Sequence, residues 1–323
     1  MDGNYYDCID CGTENCPCSL AETGDCIVCS RLSGKDFCDC DWKGVCVYNE
    51  FVQNGKKSSG IRGEQEMSIV RRDGYGEETT VLVLDCGRGF ALKCLQPGSF
   101  LFLKKPKDHH FYSMPVSVLA AEPEKGRIPL AVRAFAAKSK HLLEEGETLT
   151  VRGVYPNGIL GIKKLRGTRG RIDPERRIMI LTKGLGFAPA ALLASWIGGR
   201  ARTDLYIDED KIDKRLIRRY LPKGMNGRTE KIDLRREFAY KGTERISEKF
   251  HQGGYNTLVV LTSDYYISEI KKILPVDACS NNFRLCCGEG ICGACSRTDD
   301  QGRTFRMCKC SECPEREQGV FDK

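Results

Sequence analysis

Nineteen cysteines, and where they stand, constrain this 323-residue chain more than any other feature. Nine lie in residues 8–46 and eight in residues 279–313, with only Cys86 and Cys94 between. The opening Met-Asp-Gly-Asn-Tyr-Tyr has neither the basic region nor the apolar run of a secretory leader, so a cytoplasmic protein is expected. Disulfides are rare in that reducing compartment. Thiols gathered at both ends therefore imply two metal-binding modules flanking a body of ordinary composition.

The later group has the sharper pattern. Within residues 284–295, Cys287, Cys292 and Cys295 follow C-x4-C-x2-C, and Cys308 comes after twelve intervening residues. This is the plant-type ligand spacing of a 2Fe–2S cluster. A tight loop must aim three sulfurs at one small cluster, and Gly288, Gly290 and Gly293 permit the positive φ angles this needs. Backbone N–H groups released in such a loop can face the anionic cluster. Zinc and a disulfide knot are the alternatives, but zinc usually takes pairs of C-x2-4-C arms, not a loop of three cysteines with interleaved glycines. Cys286 abuts Cys287 and could replace it only if the loop shifts, while Cys279, Cys310 and Cys313 are left for a further metal shared with the N-terminus or for free thiols at a subunit contact.

The earlier group alternates two kinds of pair. Cys8/Cys11 and Cys26/Cys29 are C-x2-C, while Cys16/Cys18 and Cys38/Cys40 are C-x-C, and Cys46 is left over. The pattern reads as a duplicated four-cysteine unit. Large apolar residues are few, so metal binding must supply folding free energy that a core cannot. Eight thiolates suit one or two 4Fe–4S clusters, and two all-sulfur zinc sites are the structural alternative.

The body changes character once. Short β-rich runs at 66–72, 78–84, 99–103, 112–119, 128–135 and 148–153, separated by turn residues, predict an antiparallel barrel with a short helix at 139–145. From residue 177 the pattern alternates. Strands are expected at 177–182, 203–208, 230–234 and 256–262, and helices at 188–197, 212–220, 245–252 and 265–273. That alternation predicts a parallel, doubly wound sheet. The fold class is thus α/β plus β, with cysteine-rich modules at both termini. Cys86 and Cys94 read as small buried apolar residues.

The net charge of +7 comes from 51 Lys and Arg against 44 Asp and Glu, interleaved even in the basic stretch 211–250. No base-stacking motif accompanies them, so no nucleic-acid partner is expected. No apolar run reaches the length of a membrane span.

Barrel, then α/β domain, then a plant-spaced cluster loop: this order resembles the ferredoxin–NADP reductase superfamily. Within it, residues 64–310 are similar to the electron-transfer subunit of dihydroorotate dehydrogenase and to the small subunit of NADH-dependent ferredoxin:NADP oxidoreductase. The resemblance implies residues 63–172 as an FAD-binding barrel and 173–275 as an NAD(P)-binding-like domain. Residues 1–62 and 276–323 are then the iron–sulfur modules. It places the flavin against Met114-Pro115-Val116-Ser117, with Met114 where the family has an arginine and His109 or His110 as substitutes. It places the diphosphate at Lys138 and Ser139, where a helix N-terminus with a hydroxyl and lysines suits phosphate. The family's Gly-Pro turn corresponds to 153–158, with Tyr155 either stacking on the cofactor or packing on the barrel, and Asn157 beside it. Its nicotinamide loop is reduced to Gly184 and Gly186, and its late Cys-Gly-Pro is Thr262-Ser263-Asp264. Asp208-Glu209-Asp210 would disfavour a 2′-phosphate and favour NAD, or serve as a solvated helix start.

These expectations converge on an oxidoreductase subunit that carries electrons between FAD and iron–sulfur clusters, with a larger flavoprotein or oxidoreductase, or a ferredoxin, as partner. A self-sufficient NAD(P)H:acceptor reductase and a scaffold with a degenerate reductase fold are the alternatives.

Overall fold

The structure, a computed structural model, describes residues 8–40, 44–166, 171–239, 244–298, 302 and 304–312. The chain forms two compact units. One joins residues 1–62 to 283–323, and the other is residues 63–282. The four sequence segments expected above are thus arranged as two bodies, and the two cysteine-rich ends belong to the same one.

In the N-terminal part of the first unit, helix α1 (Ser19–Thr23) ends at Gly24, whose φ of +74° closes the turn. Helix α2 (Val47–Gln53) starts directly after Cys46. Ala21, Cys29, Leu32 and Phe51 make a small core between them. Four buried side chains at about 1.5–3 kcal/mol per large residue cannot offset the ordering entropy of such a segment.

The second unit begins with the expected barrel. Strands β1 (Glu64–Tyr75), β2 (Thr79–Asp85), β3 (Phe100–Lys104), β4 (Met114–Ser117), β5 (Arg127–Arg133) and β6 (Thr148–Tyr155) form an antiparallel sheet in the order β4-β3-β6-β1-β2-β5. A Val118–Leu130 bridge brings the two edges together. Helix α3 (Gly87–Lys93) between β2 and β3 is not foreseen from sequence, because Gly87 and Gly89 mask its pattern. It seats Cys94 fully buried in the barrel core, while the Cys86 thiol donates to the Gly126 carbonyl at 3.2 Å. The short helix before β6 is α4, Ala137–Leu143, which starts two residues earlier than the sequence suggests.

A two-residue strand, β7 (Ile159–Leu160), leads into the α/β part. There follow β8 (Arg177–Lys183), α5 (Phe187–Ile197), β9 (Arg202–Asp208), α6 (Lys214–Tyr220), β10 (Thr229–Ile232), α7 (Leu234–Ala239), α8 (Glu244–Gln252), β11 (Thr257–Leu261), α9 (Asp264–Lys271) and β12 (Ala278–Ser280). The order is β10-β9-β8-β11-β12-β7, parallel except for the β12–β7 edge. Every residue of β11 is buried, as a parallel strand covered on both faces requires. Helix α5 is apolar all round and almost wholly buried, and its Leu192 packs into the barrel core. Barrel and sheet therefore share a continuous interior. Cys279 lies on β12, buried in this sheet, and not in the C-terminal cysteine group. After the last loop, β13 (Ser296–Thr298) and β14 (Thr304–Arg306) make a hairpin in the first unit. Among the described residues, no helix is long and apolar enough to cross a membrane.

Candidate electron-transfer site

The cluster loop has the shape its glycines predict. Gly288, Gly290 and Gly293 all have positive φ, at +71°, +78° and +69°. The turns point backbone N–H groups at sulfur. Glu289 N and Cys292 N donate to Cys287 Sγ at 3.4 and 3.5 Å, and Cys308 N donates to Cys295 Sγ at 3.3 Å. The thiol contacts run in a line, from Cys292 to Cys287, to Cys308, to Cys295. Shared hydrogen bonds to Cys308 bring the Cys287 thiol down to about 4 and Cys295 to about 7, while Cys308 is pushed up.

Among the described residues, no three His, Cys, Asp or Glu side chains close around one metal position. Cys287 contacts both Cys292 and Cys308, and Cys308 also contacts Cys295, so the four thiols form one connected donor set. Cys286 is exposed and outside this line, so the Cys287 assignment fits the loop. The Cys310 thiol donates to the Arg306 carbonyl at 3.5 Å, and Cys313 lies outside the described residues.

The N-terminal cysteines converge in a way that spacing could not reveal. Cys8, Cys11, Cys16, Cys18, Cys26, Cys29, Cys38, Cys40 and Cys46 all line one cavity of about 440 Å³, with Leu20, Ala21, Val28 and Leu32 in its wall. Cys46, unassigned from sequence, thus joins the other eight. Cys38 and Cys40 sulfurs are 3.7 Å apart, and Cys29 N donates to Cys26 Sγ at 3.4 Å. Burial pushes the Cys16 thiol up to about 12 and raises Cys8, Cys18 and Cys26. Nine sulfurs spread around an apolar cavity fit a bulky cluster, in which each thiolate takes a different iron, better than a point-like ion. Because burial favours the protonated thiols, binding must release protons.

The nominated flavin residues divide. On β4, Pro115 is exposed and Ser117 half-buried, while Val116 points into the barrel. Lys138 lies with its ammonium 4.0 Å over the ring of Phe111. Phe111, 72% exposed, was not nominated from sequence. An exposed large aromatic beside a lysine suits a planar, phosphate-bearing ligand. Ser139 is different. Its hydroxyl donates to the Ala136 carbonyl at 3.0 Å and accepts from Ala136 N at 3.1 Å, so it caps α4 from within. Tyr155 is fully buried, stacked on Phe100 at 5.2 Å and edge-on to Phe102 at 5.3 Å, with Arg152 donating to its hydroxyl. Of its two sequence-level roles, the geometry is that of barrel packing. Asn157 is also buried, its carbonyl accepting from the Asn281 amide at 2.8 Å. Of the two histidines nominated for the missing arginine, His110 faces Glu64 at 3.3 Å and His109 is exposed.

In the α/β part, Gly184 (φ +56°) and Gly186 turn β8 into α5. A Cβ on Gly186 would lie 2.0 Å from the Leu261 carbonyl oxygen, a backbone atom that cannot move aside. Gly186→Ala is expected to cost at least about 3 kcal/mol, read as a lowered urea midpoint of the full chain. The acids after β9 are already engaged. Asp208 accepts from Lys183 Nζ at 2.6 Å, from Leu234 N at 3.0 Å and from Asp210 N at 2.9 Å. Lys183 also reaches Asp210 at 3.2 Å. Glu209 pairs with Lys231 at 2.9 Å and Lys214 at 3.5 Å.

A closed antiparallel barrel followed by a five-stranded parallel sheet of this order is the fold of ferredoxin–NADP reductase-like proteins. No family model matches the chain, and no curated protein matches it by sequence. Solved structures do match. The structure of the NADH-dependent reduced ferredoxin–NADP oxidoreductase, described for flavin-based electron bifurcation, aligns with TM-score 0.56 and 16% identity over 75% of this chain and 85% of its own. A siderophore-interacting protein from Acinetobacter baumannii aligns with TM-score 0.50 and 10% identity over 68% of this chain and 89% of its own.

Proposed function

We propose that this protein is an electron-transfer flavoprotein subunit that passes electrons between FAD and iron–sulfur clusters inside a larger oxidoreductase. One observation carries the reading: a single compact unit holds both the Cys287/Cys292/Cys295/Cys308 thiols in contact and the nine-cysteine cavity, on a chain with a reductase fold. The solved neighbours named above support the flavin part through fold.

Phe111, Pro115, Ser117 and Lys138 are the residues that would hold the flavin, rings and proline against its plane and the ammonium toward its phosphates. Cys287 with Cys292, and Cys295 with Cys308, would each hold one iron of a 2Fe–2S centre. The N-terminal cavity would take one or two 4Fe–4S clusters. When bound, FAD supplies exchange between two-electron and one-electron chemistry, and the clusters carry single electrons. The chain itself contributes positions, buried surroundings and hydrogen bonds to sulfur, which set potentials. A partner flavoprotein, oxidoreductase subunit or ferredoxin supplies or takes the electrons, in the cytoplasm.

Iron, acid-labile sulfide, zinc and flavin measured together on one anaerobically purified sample test this reading. Flavin with iron and sulfide in matching amounts is expected. A colourless protein containing only zinc would remove it.

A further inference from the structure

Three of the cysteine pairs enclose or abut a charged residue. Asp10 lies between Cys8 and Cys11, Glu289 between Cys287 and Cys292, and Lys309 between Cys308 and Cys310. The structure brings these three together. Lys309 Nζ donates to Asp10 Oδ2 at 2.6 Å and to Glu289 Oε2 at 2.8 Å. Arg62 Nη2 donates to Asp10 Oδ1 at 2.7 Å, and its Nη1 is 3.7 Å from Glu289 Oε2. All four side chains are at most 5% exposed. Backbone pairing locks the junction, with Ile9 N donating to the Lys309 carbonyl at 2.9 Å and Cys8 bridging Cys310.

Burying four charges is expensive, and well-packed apolar residues would give equal or greater stability. Stability alone is therefore a poor reason for the network. Its two ends meet ligand candidates. Asp10 N donates to Cys8 Sγ at 3.4 Å, and Glu289 N donates to Cys287 Sγ at 3.4 Å. A continuous run of covalent and hydrogen bonds thus leads from the N-terminal cavity, through Lys309, to the C-terminal loop.

We propose that Lys309 is a positioning residue shared by the two cluster sites: it fixes the Cys8 and Cys287 loops against each other, and its charge sets both potentials together. This rests on the reading of both sites as iron–sulfur centres. The four charges sum to zero as they stand. Reduction adds negative charge to a cluster, so a nearby positive charge raises its potential and a negative charge lowers it. Lys309→Met leaves the network at one net negative charge, and Glu289→Gln leaves it at one net positive charge.

The test is an EPR-monitored redox titration of the full chain, following N-terminal and C-terminal centres separately. Both potentials are expected to fall in Lys309→Met, to rise in Glu289→Gln, and to stay near wild type in Lys309→Arg. Should Lys309→Met not assemble, the isosteric Glu289→Gln still carries the test, since a residue needed only for packing moves no potential in an ordered direction. Shifts confined to one set of centres, shifts of one sign in both charge-removing variants, or no shift would overturn the proposal with both centres intact. A wild-type chain holding zinc in place of iron at either site would instead remove the underlying reading, and the proposal with it.

Discussion

Cys308→Ala is expected to abolish the EPR signal of the dithionite-reduced 2Fe–2S centre while the flavin absorbance survives. Cys308 is fully buried and touches both Cys287 and Cys295, so it stands at the middle of the thiol line. Its backbone N–H also donates to Cys295 Sγ. Alanine keeps that N–H but removes a ligand from one iron, and a three-sulfur remnant does not hold the rhomb. The face on β4 and α4 proposed to hold the flavin belongs to the other compact unit, whose core contains no residue of this loop. The control is Cys286→Ala. Cys286 is exposed beside Cys287 and outside the line of contacts, so the same signal is expected at wild-type intensity. The reverse pattern, with the signal lost in Cys286→Ala and kept in Cys308→Ala, would mean that the loop binds in a shifted register.

The barrel and the parallel sheet were legible because their strands are long apolar runs broken by turn residues. The β8 turn was legible because Gly184 and Gly186 can do what a tight strand-to-helix passage demands. The turns of the C-terminal cysteine loop were legible for the same reason: Gly288, Gly290 and Gly293 state its positive φ angles locally. What escaped depends on distance in sequence. Asp10 and Lys309 are 299 residues apart, and no local pattern announces that they meet. The union of the two cysteine-rich ends was therefore invisible, as was the place of Cys46 in the cavity. Tyr155 was ambiguous for a different reason. A turn aromatic near a cofactor motif looks the same in sequence whether its ring faces ligand or, as here, Phe100 and Phe102. Phe111 went unnoticed because exposed aromatics carry no periodic signature; only its exposure and its place under the Lys138 ammonium mark it.

Excess NADH or NADPH, added anaerobically, is expected to leave the visible absorbance of the purified chain unchanged within minutes, whereas dithionite bleaches it. The reason lies at the ends of β8 and β9, beside the switch point between β8 and β11 where such sheets bind dinucleotides. The carboxylate that in this fold receives a ribose hydroxyl would be Asp208 at the end of β9. Here Asp208 is 2% exposed, and its two oxygens already accept from Lys183, Leu234 N and Asp210 N. Burial weakens the Lys183 charge, but Asp208 and Asp210 more than offset this and raise its pKa, so the ammonium stays charged at neutral pH. A ribose hydroxyl would have to reach a buried carboxylate that already fills three of its roughly four acceptor sites. The late loop adds nothing to offset that. Thr262 and Asp264 are tied to the Asn282 amide at 2.8 and 3.2 Å, and no cysteine stands there. Lys183→Ala separates the two readings of this region. If the lysine merely blocks an otherwise competent site, the variant gains reduction by NADH, with Asp208 still disfavouring NADPH. If the domain has kept the fold for assembly and electron entry elsewhere, the variant loses stability and still fails to bleach. Rapid bleaching of the wild-type chain by either nucleotide would instead make it a self-sufficient reductase, with electrons entering through this sheet and leaving through the cysteine-rich unit.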